Sequence, residues 1–303
     1  MTYFIDLRAD SAGGNPVASV DDIVIRTDAL PNPNPAQPLT PPLIQAVQGR
    51  DVLLGTHGFN VNRAAGMDHL NHWNEWLQLG ANGFFVAVLW PGNSRWLPVV
   101  DYPIEDSEAI ESGSLLAQYL RKNFVGVNSL SFASHSLGAR VILETIRNLG
   151  QVFKINSLTM MAGAISDTCL SDQYKAITSQ IGKISVLASD QDEVLKLAFP
   201  VGNPLAGIVS RGDPYWHGAL GRFGPNPPNQ PANLVGTPIL PDDWGFGHGS
   251  YVGTQGPVVG PPAESGPFFP PDVVIPQQGT LAPSHAVNWQ QALAAGFVST
   301  RFK

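Results

Sequence analysis

The chain has one cysteine in 303 residues, Cys169, so no internal disulfide can form and stability has to come from a packed core. Charge is sparse as well. Asp, Glu, Lys and Arg make up 14% of the residues, and 17 basic side chains against 24 acidic ones leave a net charge of −7 with no basic block. That balance lacks the electrostatic footprint of a protein that binds nucleic acid or an anionic membrane surface, and neither partner is expected. No uninterrupted apolar run is long enough to cross a bilayer. Met1 to Arg8 has neither the basic start nor the apolar stretch of a secretory signal, so the expectation for the chain as given is a cytoplasmic protein. C-x-x-C and H-E-x-x-H are missing, and so are G-x-x-x-x-G-K-[ST] and a G-x-G-x-x-G after a strand. Neither a metal centre nor a nucleotide site is expected, and the chemistry can run without a cofactor.

What is present is a globular composition, 43% hydrophobic, in a chain long enough for one large domain spanning residues 1 to 303. Tyr3 to Leu7 and Asp22 to Arg26 read as two strands paired in an antiparallel edge. Pro31 to Pro38, with Pro41 and Pro42 after it, is too proline-rich for a helix or an inner strand and reads as an extended connection. Apolar strands then alternate with amphipathic helices. A strand starts at Asp51, a helix shows Leu70, Trp73, Trp76 and Leu77 on one face, and Phe84 to Trp90 is a continuous apolar strand. Ile110, Gly113, Ala117 and Leu120 mark a further helix. Ser157 to Ala162 and Lys183 to Ala188 are later strands, separated by a polar helical segment around Asp172 to Ile177. Such alternation predicts an α/β fold with a mostly parallel central sheet and helices on both faces. Residues 200 to 284 are dense in Pro and Gly and read as long C-terminal loop excursions or a cover. A last helix is expected from about Ser284 to Ala295.

One junction stands out. Val127 to Ala133 is an apolar-rich run suited to a buried strand, and Leu137, Val141, Ile142, Thr145 and Leu149 recur at helical spacing up to Gly150, a natural stop. Between them lies Ser134-His135-Ser136-Leu137-Gly138, a small-x-Ser-x-Gly turn. A serine set on such a strained turn is exposed as a nucleophile, provided the residues two positions either side are small enough for strand and helix to pass. Taken alone, the same five residues also suit a helix whose N-cap is Ser136. A serine hydroxyl attacks poorly without a histidine base, and that imidazole needs a carboxylate to set its tautomer. Asp190 and Asp192 follow the strand Lys183 to Ala188. His248, flanked by Gly247 and Gly249, and His285, at the start of the last helix, are candidate bases.

Four segments together resemble the α/β-hydrolase superfamily, in its esterase/lipase-like branch: Thr56-His57-Gly58-Phe59-Asn60, Ser134 to Gly138, Ser189-Asp190-Gln191-Asp192-Glu193-Val194-Leu195, and Gly247-His248-Gly249-Ser250-Tyr251. Serine replaces the first glycine of the family's G-x-S-x-G. The resemblance implies an α/β-hydrolase fold and a catalytic set of Ser136, Asp192 and His248. Asp192 is favoured over Asp190 because Ser189, Asp192 and Leu195 match the family's Ser-x-x-Asp-x-x-Leu. It further implies an oxyanion hole from the backbone N–H groups of Leu137 and Phe59, with His57 a structural partner behind that turn. Trp90, Trp96, Leu97 and Phe246 are the candidates to line a substrate pocket, Trp90 being equally suited to the core. The implied activity is hydrolysis of a small-molecule or lipid-like carboxylic ester through an acyl-enzyme. Amide or peptide cleavage by the same machinery and a non-catalytic binding protein on the same fold are the alternatives.

Overall fold

The computed structural model describes residues 1–9, 14–28, 40–92, 102–196, 218–226, 230–235, 239–240, 242–252 and 289–302. Strands β1 (Tyr3–Asp6), β2 (Val24–Thr27), β3 (Asp51–Thr56), β4 (Gly83–Leu89), β5 (Ser129–His135), β6 (Ile155–Met161), β7 (Ile181–Ser189) and β8 (Ile239–Leu240) form one sheet in the order 2-1-4-3-5-6-7-8. β1 and β2 pair antiparallel as expected, and every other pairing is parallel.

Parallel strands buried on both faces are built mostly from apolar side chains, and these strands supply them, with small hydroxyl residues such as Ser131 and Thr159 at other enclosed positions. Val52 and Leu54 of β3, Val86 and Val88 of β4, and Leu130 and Phe132 of β5 face one core. There they meet helices α1 (Thr40–Val47), α3 (Tyr102–Asn123) and α4 (Gly138–Leu149). Leu53, Phe85, Ala87, Leu89 and Ala133 face the other, against α2 (Arg63–Trp76) and a C-terminal helix, Trp289–Phe302. The period-2 alternation of a strand thus divides one apolar run between two cores. α2 starts where Asn62 accepts a hydrogen bond from the Ala65 N–H at 2.9 Å, and it buries Leu70, Trp73 and Trp76 as its spacing predicts.

Three local expectations need correcting. Pro41 and Pro42 do not prevent a helix: α1 begins at Thr40, so both sit in its first turn, where a missing N–H costs nothing. The last helix does not end near Ala295 but runs to Phe302, because Phe297, Val298 and Phe302 are all buried; residues 284 to 288, its expected start, lie outside the described residues. The polar segment before β7 forms only a single turn, Lys175–Thr178. None of the described helices is long and apolar enough to cross a membrane.

The order of strands places the site. From β3 the chain moves to β4 on one side, then returns to lay β5 on the other side of β3. The connections leave β3 and β5 in opposite directions, opening a crevice beyond their carboxyl ends. His57-Gly58-Phe59 follows β3 and Ser136 follows β5.

Candidate active site

Ser136 takes a left-handed backbone, φ 54°, rarely seen in a residue with a side chain and worth about 1–3 kcal/mol of strain. The turn is held by the Ser136 N–H donating to the Met161 carbonyl at 3.0 Å and the Ala139 N–H donating to the Ser136 carbonyl at 3.1 Å. The helix N-cap position falls on Leu137, so Ser136 is not the cap, and its side chain is turned elsewhere. Gly138 is needed for close approach. A Cβ there would lie 2.5 Å from the His57 carbonyl oxygen and 2.8 Å from Thr56 Cγ2, both at the end of β3. Gly138→Ala should therefore push α4 off β3 and destabilise the fold by about 1–3 kcal/mol, read as a lower urea midpoint at unchanged slope.

The four segments meet. His248 lies on a 3₁₀ turn, His248–Ser250, with Nε2 2.8 Å from Ser136 Oγ and Nδ1 2.8 Å from Asp192 Oδ2. Asp192 is fully buried; its other oxygen accepts the Leu195 N–H at 2.9 Å, so one carboxylate both caps the segment after β7 and faces the imidazole. Asp190 is placed differently. Its side chain is half exposed and pairs with Arg222 at 2.8 Å, away from His248. The glycines beside His248 are not there for backbone freedom: Gly247 has an ordinary φ of −86°, and nothing lies within 4 Å of a Cβ built on either. The turn is instead pinned by the Gly247 N–H donating to Ser250 Oγ at 3.1 Å and by the buried ring of Tyr251.

On the β3 side, a Cβ on Gly58 would lie 2.7 Å from Ser136 Cβ, so the turn packs directly on the serine. His57 is buried. Its Nδ1 is 2.8 Å from the Gly58 carbonyl oxygen, an acceptor, so Nδ1 carries the proton. Nε2 therefore accepts, from the Trp90 N–H at 3.3 Å and from Arg8 Nη2 at 3.1 Å. Burial, then the neighbouring Arg8 guanidinium, hold His57 well below the usual imidazole range. Because C=O and N–H of a trans peptide unit point in opposite directions, binding the Gly58 carbonyl turns the Phe59 N–H away from His57. Arg8 also donates to the Val61 carbonyl at 2.5 Å, bracing the far end of the same turn. Nothing in the periodicity of the chain announces this arginine, which acts across 49 positions.

Trp90 and Phe246 do not line a pocket. Both have no accessible surface: Trp90 stacks on His57 with ring centroids 5.8 Å apart, and Phe246 packs on Tyr251 at 5.1 Å. They brace the turns that carry the site. Trp96, Leu97 and His285 lie outside the described residues, as does His217. His69 and His72, both on α2, are half-buried.

His135 is the residue that sequence reasoning passed over, as the variable position of the serine turn. Its imidazole is pushed down to about 3 by burial and then by the nearby His248 ring. With His57 it gives the fold an acid sensitivity of predictable sign. In the unfolded chain both imidazoles take a proton below about pH 6.5, whereas in the fold they resist it until far lower pH. The unfolded state therefore binds more protons in that window, and stability falls as pH drops from 6.5 towards 3. Urea midpoints should follow that course, and His135→Gln should flatten the slope.

The fold is that of an α/β-hydrolase. A family model described as an alpha/beta hydrolase of unknown function (DUF900) matches residues 41–213, more than half of the chain, and the chain belongs to that family. Ser136 and Asp192 fall within the matched residues; His248 lies beyond them. Among solved structures the chain is similar to a hyperthermophilic esterase from the archaeon Pyrobaculum calidifontis, at 13% identity and a TM-score of 0.31, over 54% of this chain and 65% of that one. The chain thus matches just under two thirds of that esterase's length, and a likeness this slight carries no argument about activity. No curated protein matches the chain.

Proposed function

We propose that this protein is a carboxylic ester hydrolase working through an acyl-enzyme, with Ser136 as nucleophile, His248 as general base and Asp192 as its orienting carboxylate. The observation that carries the reading is the single imidazole standing 2.8 Å from both the hydroxyl and the carboxylate, one ring nitrogen to each. With Asp192 on the Nδ1 side, Nδ1 carries the proton and Nε2 keeps the lone pair that faces Ser136 Oγ.

In the first half-reaction Oγ attacks the ester carbonyl carbon while its proton passes to His248 Nε2. The oxyanion is met by the N–H groups of Leu137, at the positive end of α4, and Phe59; each such donor is worth about 3 kcal/mol in the transition state. Among the described residues neither amide donates to a backbone carbonyl. Collapse breaks the bond to the alcohol, which leaves with the proton from Nε2. Water then adds to the acyl group, giving its proton to Nε2, and the acid departs as Ser136 takes that proton back.

The test is a panel of p-nitrophenyl esters from acetate to palmitate beside the matching anilides. Saturable release of p-nitrophenol from at least one ester, well above release from its anilide, is the expected result. Preferential anilide cleavage would make the protein an amidase. No turnover of any substrate by folded protein would point to a binding protein instead.

A further inference from the structure

His135 touches both halves of the site, and the mechanism above gives it no task. It ends β5 with its ring almost enclosed, 8% exposed. Its Nε2 is 2.6 Å from the carbonyl oxygen of His248, and its ring lies 5.0 Å from the His248 ring and 6.2 Å from that of Tyr251. On the other side, a Cβ on Gly58 would come within 2.9 Å of its Nδ1, so the ring is wedged against the turn that follows β3. A carbonyl oxygen only accepts, so Nε2 carries the hydrogen and the tautomer is set.

The partner of that bond matters because, among the described residues, the turn's hydrogen bonds are otherwise internal, apart from those of the His248 ring, with the buried Tyr251 ring packed beside it. Within His248–Ser250 the backbone bond is internal, from the Ser250 N–H to the Gly247 carbonyl at 3.0 Å. The side-chain contacts of His248 run to Ser136 and Asp192, the groups it must serve. The bond from His135 ties the backbone of the turn to the end of the strand that bears Ser136. We propose that His135 is a positioning residue, whose Nε2–H, donated to the His248 carbonyl, fixes the imidazole of His248 over Ser136. This rests on the reading of His248 as the base. The choice of an imidazole follows from its neighbour: His248 becomes cationic as it takes the serine proton, and a charged donor such as lysine 5.0 Å away would oppose that step. A neutral N–H of fixed direction supplies the tie without the repulsion, and its buried, depressed imidazole keeps His135 neutral.

Two variants separate the N–H from the ring. His135→Phe keeps the aromatic volume and removes the donor, while His135→Gln places an amide N–H at similar reach. Both are measured for kcat and KM on p-nitrophenyl acetate, for thermal midpoint, and for amide hydrogen exchange in residues 247–252. The phenylalanine variant should lose about tenfold to hundredfold in kcat, the scale expected when a catalytic group is displaced by a fraction of an ångström to one ångström, with KM within about threefold of wild type. Exchange in the turn should rise, and glutamine should recover most of both losses. Unchanged exchange and kcat in His135→Phe, or equal impairment of the two variants at an undiminished thermal midpoint, would overturn the proposal. His248→Ala is run in parallel. If it retains turnover, the assignment of the base has failed and the positioning role falls with it, whereas a dead His248→Ala beside an unimpaired His135→Phe refutes His135 alone.

Discussion

Ser136→Ala is expected to abolish ester turnover, lowering kcat by about 10⁶-fold, the scale of loss when the nucleophile of a serine hydrolase is removed. The thermal midpoint should scarcely move. Alanine carries the same Cβ as serine, so it bears the same left-handed φ of 54° and meets Gly58 in the same way. What disappears is the hydroxyl and its 2.8 Å contact to His248. The bonds that hold the turn, Ser136 N–H to the Met161 carbonyl and Ala139 N–H to the Ser136 carbonyl, belong to the backbone and survive. Wild-type activity in Ser136→Ala on every ester tested would show that the turn is structural and the chemistry lies elsewhere.

Asp192→Asn is expected to cost about 10⁴-fold in kcat, the loss found when triad geometry is kept and the tautomer is wrong. The substitution suits this site because the carboxylate serves two partners through separate oxygens. Asparagine can keep its oxygen on the Leu195 N–H, preserving the cap, and it then presents an NH₂ donor to His248 Nδ1. The imidazole must place its lone pair on Nδ1 and its hydrogen on Nε2, the reverse of what Ser136 requires. Asp192→Ala would confuse the result by also removing the cap, worth about 1 kcal/mol. Asp190→Asn should stay within about threefold of wild type, since an exposed pair such as Asp190 with Arg222 contributes little. The opposite ranking of the two asparagine variants would move the carboxylate role to Asp190.

Much of this arrangement was legible in the chain because it is local. Fully buried parallel strands are rich in apolar residues, and a run such as Phe84 to Leu89 reveals itself without any tertiary information. The serine turn was equally plain: Gly138 is small for a reason confined to a few ångströms, the passage of α4 past the end of β3. The preference for Asp192 came from the resemblance of Ser189, Asp192 and Leu195 to the family's Ser-x-x-Asp-x-x-Leu; in the fold Asp192 accepts the Leu195 N–H.

What escaped was non-local. Arg8 acts on a turn 49 residues away and His135 on a carbonyl 113 residues away, and no periodicity encodes either. A weak signal for His135 did exist. Ser131, Ala133 and His135 share one face of β5, and an imidazole at the end of so enclosed a strand must find a partner or be costly to bury. Phe246 was misread, and Trp90 was left between pocket and core, for the complementary reason: large aromatic side chains near a site suit a pocket wall and a supporting core equally, and only the packing against His57 and Tyr251 decides.

Activation of Ser136 by His248 is tested most directly by covalent labelling, which needs no substrate. Wild-type protein and His248→Ala are treated with a fluorophosphonate at the same concentration, and adducts are followed by intact mass and located by peptide mapping. One adduct is expected in the wild type, on the peptide containing Ser136, and little or none in His248→Ala over the same period. Labelling of Ser136 at equal rates in both proteins, or an adduct on any other residue, would contradict that expectation.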